Sequence, residues 1–419
     1  MAVVGDADSP MTTQAVAKKG HVDGTHRTVE PARTLDRLQP VLPQVGITRV
    51  AVVTGLDVIG IPVVMVCRPN SRALSVSQGK GVDLVSAKVS GIMESVEAWH
   101  AEQILLPLRL ATYRELRAVA RVVDVERLPR TSSSRFHPDL TILWVEGTDV
   151  FTADKVWVPY ECVHLDFRIP GPQGAGCFRC TSGGLAAGNH LLEAVSHAVC
   201  ELVERDAFGL WDERDADDRG SRQVDPDTVT DPGCLRLLEL YERAGVAVSV
   251  WDRTTDIGLP VFSVSIADRH ADPVRRLPAA LGGGCHPDRA VALSRALTEA
   301  AQSRLTYISA GRDDFAPDYY RHVRDAEAIK KQVSRLGGHP QRAFENVAHL
   351  PEDSIDGDVT RELDCLKAAG LEQAILVDLT RSDVGIRVVR MVIPGLEGWV
   401  EKVEANAPGE RLRAMREQR

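Results

Sequence analysis

The sequence predicts a mixed α/β protein, of the α+β type, in which long helices alternate with short strands. Two observations predict it: apolar residues at helical spacing over 84–105 and 191–211, and short β-branched runs at 50–53 and 62–66. The chain has 419 residues, of which 44% are hydrophobic, so it can bury a core without disulfides or metals. No repeat with a period of roughly 20 to 50 residues is visible. We therefore expect β-sheets with helices packed on them.

The elements follow from this periodicity in chain order. Helices are expected at 32–42, 84–105, 107–120, 191–211, 235–244, 289–310, 325–336 and 360–369. Strands are expected at 50–53, 62–66, 141–146, 156–163, 246–251, 261–266, 374–379 and 387–392. A polar turn is expected at 69–72, and the segment 75–81 follows it. The segment 282–287 is expected to lead into the third long helix, and the acidic stretch 212–233 is expected to be a surface loop or linker.

Charge and composition exclude several classes of protein. The net charge is -9, from 59 acidic and 50 basic residues, which argues against a general nucleic-acid partner. The N-terminus carries Asp6 and Asp8 and has no apolar core, so it does not read as a signal peptide. The most apolar stretch, 50–67, is broken by Asp57 and Pro62, which predicts two strands and no membrane span. We expect a cytoplasmic protein.

The eight cysteines are scattered through the chain, and reduced thiols are the default expectation. Cys177 and Cys180 form a lone Cys-x-x-Cys pair, and Cys162 and His164 lie upstream of it. A four-ligand zinc site is therefore conceivable, as is a redox pair, but no second Cys-x-x-Cys accompanies the first. Ordinary thiols remain the favoured interpretation.

Gly79-Lys80-Gly81 resembles part of a phosphate-binding P-loop but does not complete it. Leu74 stands where the pattern needs its first glycine, and Gly81 stands where it needs Ser or Thr. We reject the P-loop. A plain turn between strand and helix and a ligand-binding loop are both compatible with these residues.

The less usual feature is a set of polar residues on otherwise apolar helices. They are Ser90, Glu94 and Glu97 on the first helix, Glu193, Glu201 and Glu204 on the second, and Glu299, Gln302 and Arg304 on the third. Ser90, Glu94 and Glu97 are spaced i, i+4 and i+7, which places them on one stripe. Glu193 and Glu204 differ by about 20° around a helix with 3.6 residues per turn.

A solvated helix face explains any one of these groups. Clustered carboxylates on three helices instead require neutralising cations, and Mg²⁺ commonly bridges carboxylates to nucleotide phosphates. A di-iron site is the main competitor, but it uses Glu-x-x-His on each of two helices. The second and third helices contain no such pair, since Glu193 and His197 are four residues apart. The pattern favours a pocket for a metal and a nucleotide.

Taken together, these motifs resemble the YcaO family over about residues 20 to 400. The order and joint spacing of four segments carry the resemblance. They are Ser75-Val-Ser-Gln-Gly-Lys-Gly81; Ser90 with Glu94 and Glu97; Gly188-Asn189 with Glu193, Glu201 and Glu204-Arg205; and Arg295 through Glu299 and Gln302 to Arg304.

The resemblance implies an enzyme that binds ATP and Mg²⁺ and phosphorylates a backbone amide oxygen of a peptide or protein. It implies that Glu94, Glu97, Glu201 and Glu204 hold magnesium and, with Arg205, are the catalytic residues. It further implies nucleotide contacts from Ser90, Asn189, Glu193, Arg205, Glu299, Gln302 and Arg304. The segment Gly24 to Arg27, with Thr34, resembles the family's N-terminal phosphate-contacting pair.

The opening Lys19 to Arg27 and the ending Val392 to Glu397 resemble YcaO proteins that work with a TfuA partner and are linked to thioamide formation. The alternatives are an azoline-forming cyclodehydratase and a non-catalytic scaffold that binds a partner. The resemblance also favours a homodimer. We expect a flexible arm over 1–30, the catalytic domain over 31–400 and a tail over 401–419.

Overall fold

The computed structural model describes residues 16–270, 277–312, 338–398 and 407–417, with the single positions 325, 327 and 329. Its helices are α1 Pro31–Leu38, α2 Val41–Gln44, α3 Leu84–Glu102, α4 Tyr113–Arg117, α5 Leu191–Trp211, α6 Ala216–Ser221, α7 Pro232–Arg243, α8 Arg289–Ser309, α9 Ile355–Ala368 and α10 Glu410–Glu417. The helix expected at 325–336 falls almost wholly outside the described residues, as do residues 1–15 of the arm.

The strands complete a mixed α/β fold, so the predicted class is confirmed. They are β1 Arg49–Val52, β2 Val63–Cys67, β3 Val76–Lys80, β4 Leu108–Thr112, β5 Thr141–Asp149, β6 Lys155–Pro159, β7 Leu185–Gly188, β8 Gln223–Val224, β9 Val246–Asp252, β10 Val261–Asp268, β11 Ala280–Cys285, β12 Ile375–Asp378 and β13 Arg387–Val392. Every pairing between these strands is antiparallel. None of the described helices combines the length and the apolar character that a bilayer crossing needs.

The chain folds into two compact units, each assembled from separated segments. The first unit comprises Met1–Lys19, Glu97–Glu213 and Glu352–Arg419, and the second comprises Gly20–Val96 and Arg214–Pro351. Helix α3 is continuous, so its residues up to Val96 belong to the second unit and those from Glu97 to the first.

In the first unit, one sheet has the strand order β4-β5-β12-β13-β7, with β6 also paired to β5. Helix α5 packs on β7 and β13, and α9 packs against α5. Val195, Val199 and Val203 of α5 are fully buried. The apolar periodicity that predicts α5 therefore marks the face that packs on the sheet.

The second unit contains a sheet with the order β1-β2-β3 and another with the order β11-β10-β9-β8. Helix α8 packs on β10 and β11, and α7 packs against α8. Their apolar residues form a core that includes Tyr241, Phe262 and Leu297.

Several elements differ from the sequence expectations. The acidic stretch 212–233, expected as a surface loop, contains helix α6 and strand β8. The helix expected over 107–120 is wrong, because β4 pairs with β5 there and only α4 follows it. Its alternation of Leu108, Arg109 and Leu110 has the period of a strand, and a capping box at Thr112 and Glu115 starts α4. The segments 75–81 and 282–287, where no strand was expected, are largely the strands β3 and β11.

The sequence pattern did not predict β3 and β11 because both strands contain glycines. Close packing against a helix explains why glycine occurs there. A Cβ on Gly79 would meet the carbonyl oxygen of Ala87 and the amide of Gly91 inside van der Waals contact. Gly284 is held in the same way against the carbonyl oxygen of Ala292 in α8. These strands use glycine so that a helix backbone can lie directly on them.

Replacing Gly79 by Ala should lower the free energy of unfolding by about 1–3 kcal/mol, because the added methyl group must push α3 away from β3. Gly55→Ala is the matched control, since a Cβ there meets nothing within 4 Å. Chemical denaturation of both variants measures the difference. Equal stability of the two variants would show that the approach of strand and helix is not tight.

Candidate functional site

Strand β7 and the residues beside it hold three of the predicted carboxylates of the first unit through backbone amides. Three N–H groups within six consecutive residues each donate to a different glutamate. The pairs are Gly184 N to Glu201 Oε2 at 3.1 Å, Ala187 N to Glu97 Oε1 at 2.7 Å, and Asn189 N to Glu193 Oε2 at 2.8 Å. These hydrogen bonds fix where each carboxylate points.

The local sequence permits this arrangement because the segment is built from small residues. Gly184 has a φ of +79°, which favours glycine, and a Cβ there would lie 2.6 Å from the carbonyl oxygen of Met391. A Cβ on Gly188 would lie 2.8 Å from the Cβ of Glu193. The turn into α5 is then capped by His190, whose Nδ1 accepts from the amide of Leu192 at 3.2 Å.

Glu201 also pairs with Arg205, one helical turn further along α5. Arg205 donates from Nε at 3.0 Å and from Nη2 at 2.6 Å to Glu201 Oε1. Both side chains are only partly exposed, at 20% for Glu201 and 29% for Arg205. Glu204 lies three residues after Glu201 on the same helix and is half-buried.

The donor types of the first unit suit a hard divalent cation, although among the described residues the carboxylate oxygens of Glu97, Glu201 and Glu204 do not all lie within 4.8 Å of one another. Three of the four predicted magnesium ligands, Glu97, Glu201 and Glu204, belong to this unit, and all of them supply carboxylate oxygens. Such oxygens are the ligands that Mg²⁺ prefers. The amide-held orientation of Glu97 and Glu201 and the adjacent guanidinium of Arg205 supply fixed geometry and charge.

In the second unit, Lys80 contacts two residues that were predicted to contact nucleotide. Its Nζ lies 2.6 Å from Glu299 Oε2, and its backbone amide donates to Ser90 Oγ at 3.4 Å. Burial alone would raise the pKa of the Glu299 carboxyl, but the charge and hydrogen bond of Lys80 outweigh it, so the pKa is lowered. Glu299 therefore carries its negative charge at neutral pH.

Lys80 is the residue that the motif analysis missed. The only signal was its position between Gly79 and Gly81, which fails the P-loop pattern. Glu94 lies on α3 one turn after Ser90 and is exposed, and Gln302 lies on α8 three residues after Glu299 and is half-buried. Their predicted contacts with metal and nucleotide stay predictions.

Arg304 is engaged elsewhere in the second unit. It is 1% exposed, its Nε donates to Asp57 at 2.9 Å, and its Nη2 lies 2.9 Å from Asp268. Breaking such a buried pair from either side leaves an uncompensated charge, so these carboxylates hold Arg304 in place. Its predicted nucleotide contact stays a prediction that must be reconciled with this network.

The N-terminal pair of predicted contacts also makes local hydrogen bonds. Arg27 donates from Nη1 to its neighbour's carbonyl, that of His26, at 3.0 Å. The buried hydroxyl of Thr34 donates to the carbonyl of Glu30 at 3.3 Å at the start of α1. Their phosphate contacts remain predictions.

A buried acid fastens α5 to α9 in the first unit. Glu362 is 0% exposed, and its Oε1 accepts from Ser196 Oγ at 2.6 Å and from Cys200 Sγ at 3.4 Å. Burial raises the pKa of Glu362 well above its ordinary value, with the neighbouring thiol of Cys200 as a smaller contribution. Glu362 is therefore a neutral acid within the helix pair that carries Glu193 and Glu201.

The candidate zinc ligands do not assemble. Among the described donor atoms, no three from Cys162, His164, Cys177 and Cys180 lie together within 4.8 Å. Burial raises the pKa of Cys180 to about 12, and its Sγ donates to the His164 carbonyl at 3.0 Å. Burial also lowers the pKa of His164 to about 4. These groups behave as protonated thiols and a neutral imidazole.

The di-iron alternative has one local match on α3, where Glu97 and His100 form a Glu-x-x-His pair. Glu97 accepts from the Ala187 amide, and the ring of His100 meets Trp99 edge-on at 5.1 Å. Neither α5 nor α8 supplies the second pair that a di-iron centre requires. The arrangement therefore favours the magnesium interpretation.

Known proteins match this chain over most of its length. A family model described as YcaO cyclodehydratase, ATP- and Mg²⁺-binding, matches residues 78–397. A protein of the tfuA 3′ region of Rhizobium leguminosarum bv. trifolii is 39% identical over 384 residues, which cover 90% of each chain.

Two solved structures share the fold. The YcaO protein of Methanopyrus kandleri, bound with AMPPCP and Mg²⁺, has a TM-score of 0.72 at 22% identity, over 91% of this chain and 95% of that one. A heterocyclase in complex with substrate and cofactor has a TM-score of 0.76 at 22% identity, over 92% of this chain. The match spans 54%, about half, of the heterocyclase.

The buried acid Glu362 allows a test of the contact between α9 and α5. Glu362→Gln should gain stability relative to the wild type as pH rises above about 4.5. The raised pKa keeps the folded wild type protonated while its unfolded chain ionises, and this costs up to about 1.4 kcal/mol per pH unit. The amide cannot ionise and still offers an oxygen to Ser196.

Denaturation curves between pH 5 and pH 8 measure the trend. Glu239→Gln is the control, because Glu239 is 59% exposed and pairs with Arg243 at the surface of α7. Parallel pH profiles for the wild type and Glu362→Gln would contradict a neutral buried acid.

Proposed function

The chain belongs to the YcaO family, and from that premise we propose that it uses ATP to activate a backbone amide of a peptide or protein and converts it into a thioamide. The observation that carries the proposal is the set of carboxylates that the amides of Gly184, Ala187 and Asn189 hold, one of which, that of Glu201, pairs with Arg205. The match to an ATP- and Mg²⁺-binding family model supports the same reading.

In this proposal Glu97, Glu201 and Glu204 hold magnesium in the first unit, and Glu94 is proposed as a further ligand. Bound magnesium neutralises phosphate charge and orients the phosphates for transfer. Asn189, Glu193 and Arg205 contact the nucleotide from the first unit. Ser90, Glu299, Gln302 and Arg304 are proposed contacts in the second unit, as are Arg27 and Thr34. Lys80 holds Ser90 and Glu299 in place.

The chemistry needs positioning and charge more than a protein nucleophile. The amide oxygen attacks the terminal phosphorus of ATP, ADP leaves, and the amide nitrogen loses its proton. This turns a poor leaving group into a phosphate ester and makes the carbonyl carbon electrophilic. Arg205, aligned by Glu201, offers a fixed positive charge for the phosphoryl oxygens, and Glu201 is itself held by Gly184.

The tfuA-region relative supports thioamide formation with a TfuA-type partner protein, and we propose such a partner and a homodimeric enzyme. The second candidate is an azoline-forming cyclodehydratase acting on Cys, Ser or Thr of a precursor peptide, which the family description as a cyclodehydratase favours. Mass spectrometry of the product separates them, because exchange of oxygen for sulfur raises the substrate mass and loss of water lowers it.

Glu204→Gln should weaken the Mg²⁺-dependent binding of ATP at least about tenfold, or 1.4 kcal/mol, and abolish ATP-dependent turnover. Glutamine keeps the shape of the side chain and removes its charge, so a loss reports on electrostatics. Calorimetric titration with ATP, with and without Mg²⁺, measures the binding.

Glu239→Gln serves as the control for removing one negative charge from an exposed helix. Unchanged thermal unfolding of Glu204→Gln would show that the variant is folded. Normal Mg²⁺-dependent binding by Glu204→Gln would contradict the metal role. Absence of ATP binding by the wild type would favour the scaffold.

A further inference from the structure

Two arginines of the first unit carry buried hydrogen-bond donors that have no partner among the described residues. Arg390, on β13, is 3% exposed, its Nε donates to the Cys162 carbonyl at 2.9 Å, and its Nη2 donates to the Thr181 carbonyl at 2.6 Å. Its Nη1 is buried and has no hydrogen-bond partner among the described residues. A buried charged donor without a partner is costly and calls for a ligand.

Arg179 also has one guanidinium nitrogen in use and one without a partner, and it lies two residues before Thr181. Its Nη1 donates to the carbonyl of Gly398, and its buried Nη2 lacks a partner within the described part of the chain. Burial lowers the pKa of Arg179, and the positive charge of Arg205 lowers it further, because the two guanidinium groups repel each other.

The loop 179–184 connects the arginines to the Glu201–Arg205 pair. Arg179 begins it, the Thr181 carbonyl accepts from Arg390, and a Cβ on Gly183 would lie 3.1 Å from Cδ of Arg205. Gly184 then donates to Glu201. The unused donor of Arg179 therefore lies on the loop that leads directly into β7, and Arg390 of β13 is hydrogen-bonded to that loop.

The surroundings of Arg390 select a small and polarisable anion. The thiols of Cys162 and Cys180 and, more weakly, the carboxylate of Glu201 are its electrostatic neighbours. Burial raises the pKa of both thiols, so at neutral pH the thiols themselves supply no negative charge. A phosphate group needs several donors at once, whereas Arg390 has one unused nitrogen, which suits a monoatomic centre. Sulfur is such a centre, and thiol groups form a soft environment for it.

We propose that Arg390 and Arg179 bind the hydrosulfide anion, which is the sulfur nucleophile of the thioamide-forming reaction. This inference rests on the proposed function, because it places the second reactant of that reaction. Arg390 and Arg179 are then substrate-binding residues, and Cys162 and Cys180 line the site as uncharged thiols.

The step balances without an oxidant or a reductant. The sulfur of hydrosulfide attacks the carbon of the phosphorylated amide, and a carbon–sulfur bond forms. The carbon–oxygen bond breaks, and phosphate leaves with its electron pair. The proton of hydrosulfide moves to the amide nitrogen, which gives the neutral thioamide.

Anaerobic calorimetric titration of the full chain with sodium sulfide tests the site. Sodium chloride and sodium phosphate at equal ionic strength are the comparison titrants. The wild type should bind hydrosulfide at least tenfold more tightly than either comparison anion. Arg390→Lys and Arg179→Gln should each weaken hydrosulfide binding at least tenfold, because neither retains the unused guanidinium nitrogen.

Arg361→Lys is the matched control, since Arg361 lies in the same unit, is 45% exposed and pairs with Glu352 at the surface. Should Arg390→Lys fail to fold, the less buried Arg179→Gln still decides the question. Hydrosulfide binding no stronger than that of chloride or phosphate would overturn the proposal. Equal binding by the wild type and Arg179→Gln would overturn it as well.

Titration of the same wild-type protein with ATP and Mg²⁺ separates the two proposals. Nucleotide binding without hydrosulfide binding contradicts only the sulfur site. Absence of nucleotide binding by the wild type contradicts the proposed function itself.

Discussion

The first unit depends on a short strand whose backbone amides orient carboxylates. Like charges repel when they are brought together, and a protein must hold each one in place by hydrogen bonds or cations. Here the amides of Gly184, Ala187 and Asn189 donate hydrogen bonds to glutamates from two helices, α3 and α5. Backbone donors cannot rotate away as side chains do, so each of these carboxylates is oriented before any ligand binds.

The strand can act in this way because it is itself held on both sides. On one side β13 pairs with β7 in the register Leu185 with Arg390 and Gly188 with Arg387. On the other side α5 packs on the strand, and Glu362 of α9 fastens α5 through Ser196. The same register places Arg390 opposite Leu185, so its strand lies next to β7, whose neighbouring amides hold the carboxylates of α3 and α5. Amide activation and sulfur delivery could then share one sheet.

Local patterns were enough to predict the helices that carry the site. Helix α5 runs over Leu191–Trp211, as its apolar spacing predicts, and α8 ends one residue earlier than expected. The stripe of glutamates on α5 also follows from spacing alone. These features are set by residues close together in the sequence, and for that reason the sequence shows them.

Partners distant in the sequence could not be predicted in this way. Nothing near Lys80 indicates that it pairs with Glu299, which lies 219 residues away. Arg304 was assigned to nucleotide by its motif, whereas its ion pair with Asp57 spans 247 residues. Strands β3 and β11 were missed because glycine has low strand propensity, although close helix packing requires it there.

A crystal structure with Mn²⁺ and a non-hydrolysable ATP analogue tests the central claim most directly. Anomalous scattering locates the metal independently of the protein. The account predicts manganese at coordination distance, roughly 2.0–2.6 Å, from carboxylate oxygens among Glu97, Glu201 and Glu204. Manganese and nucleotide bound at another site, with Glu97 and Glu201 still occupied only by their amide and arginine partners, would contradict it.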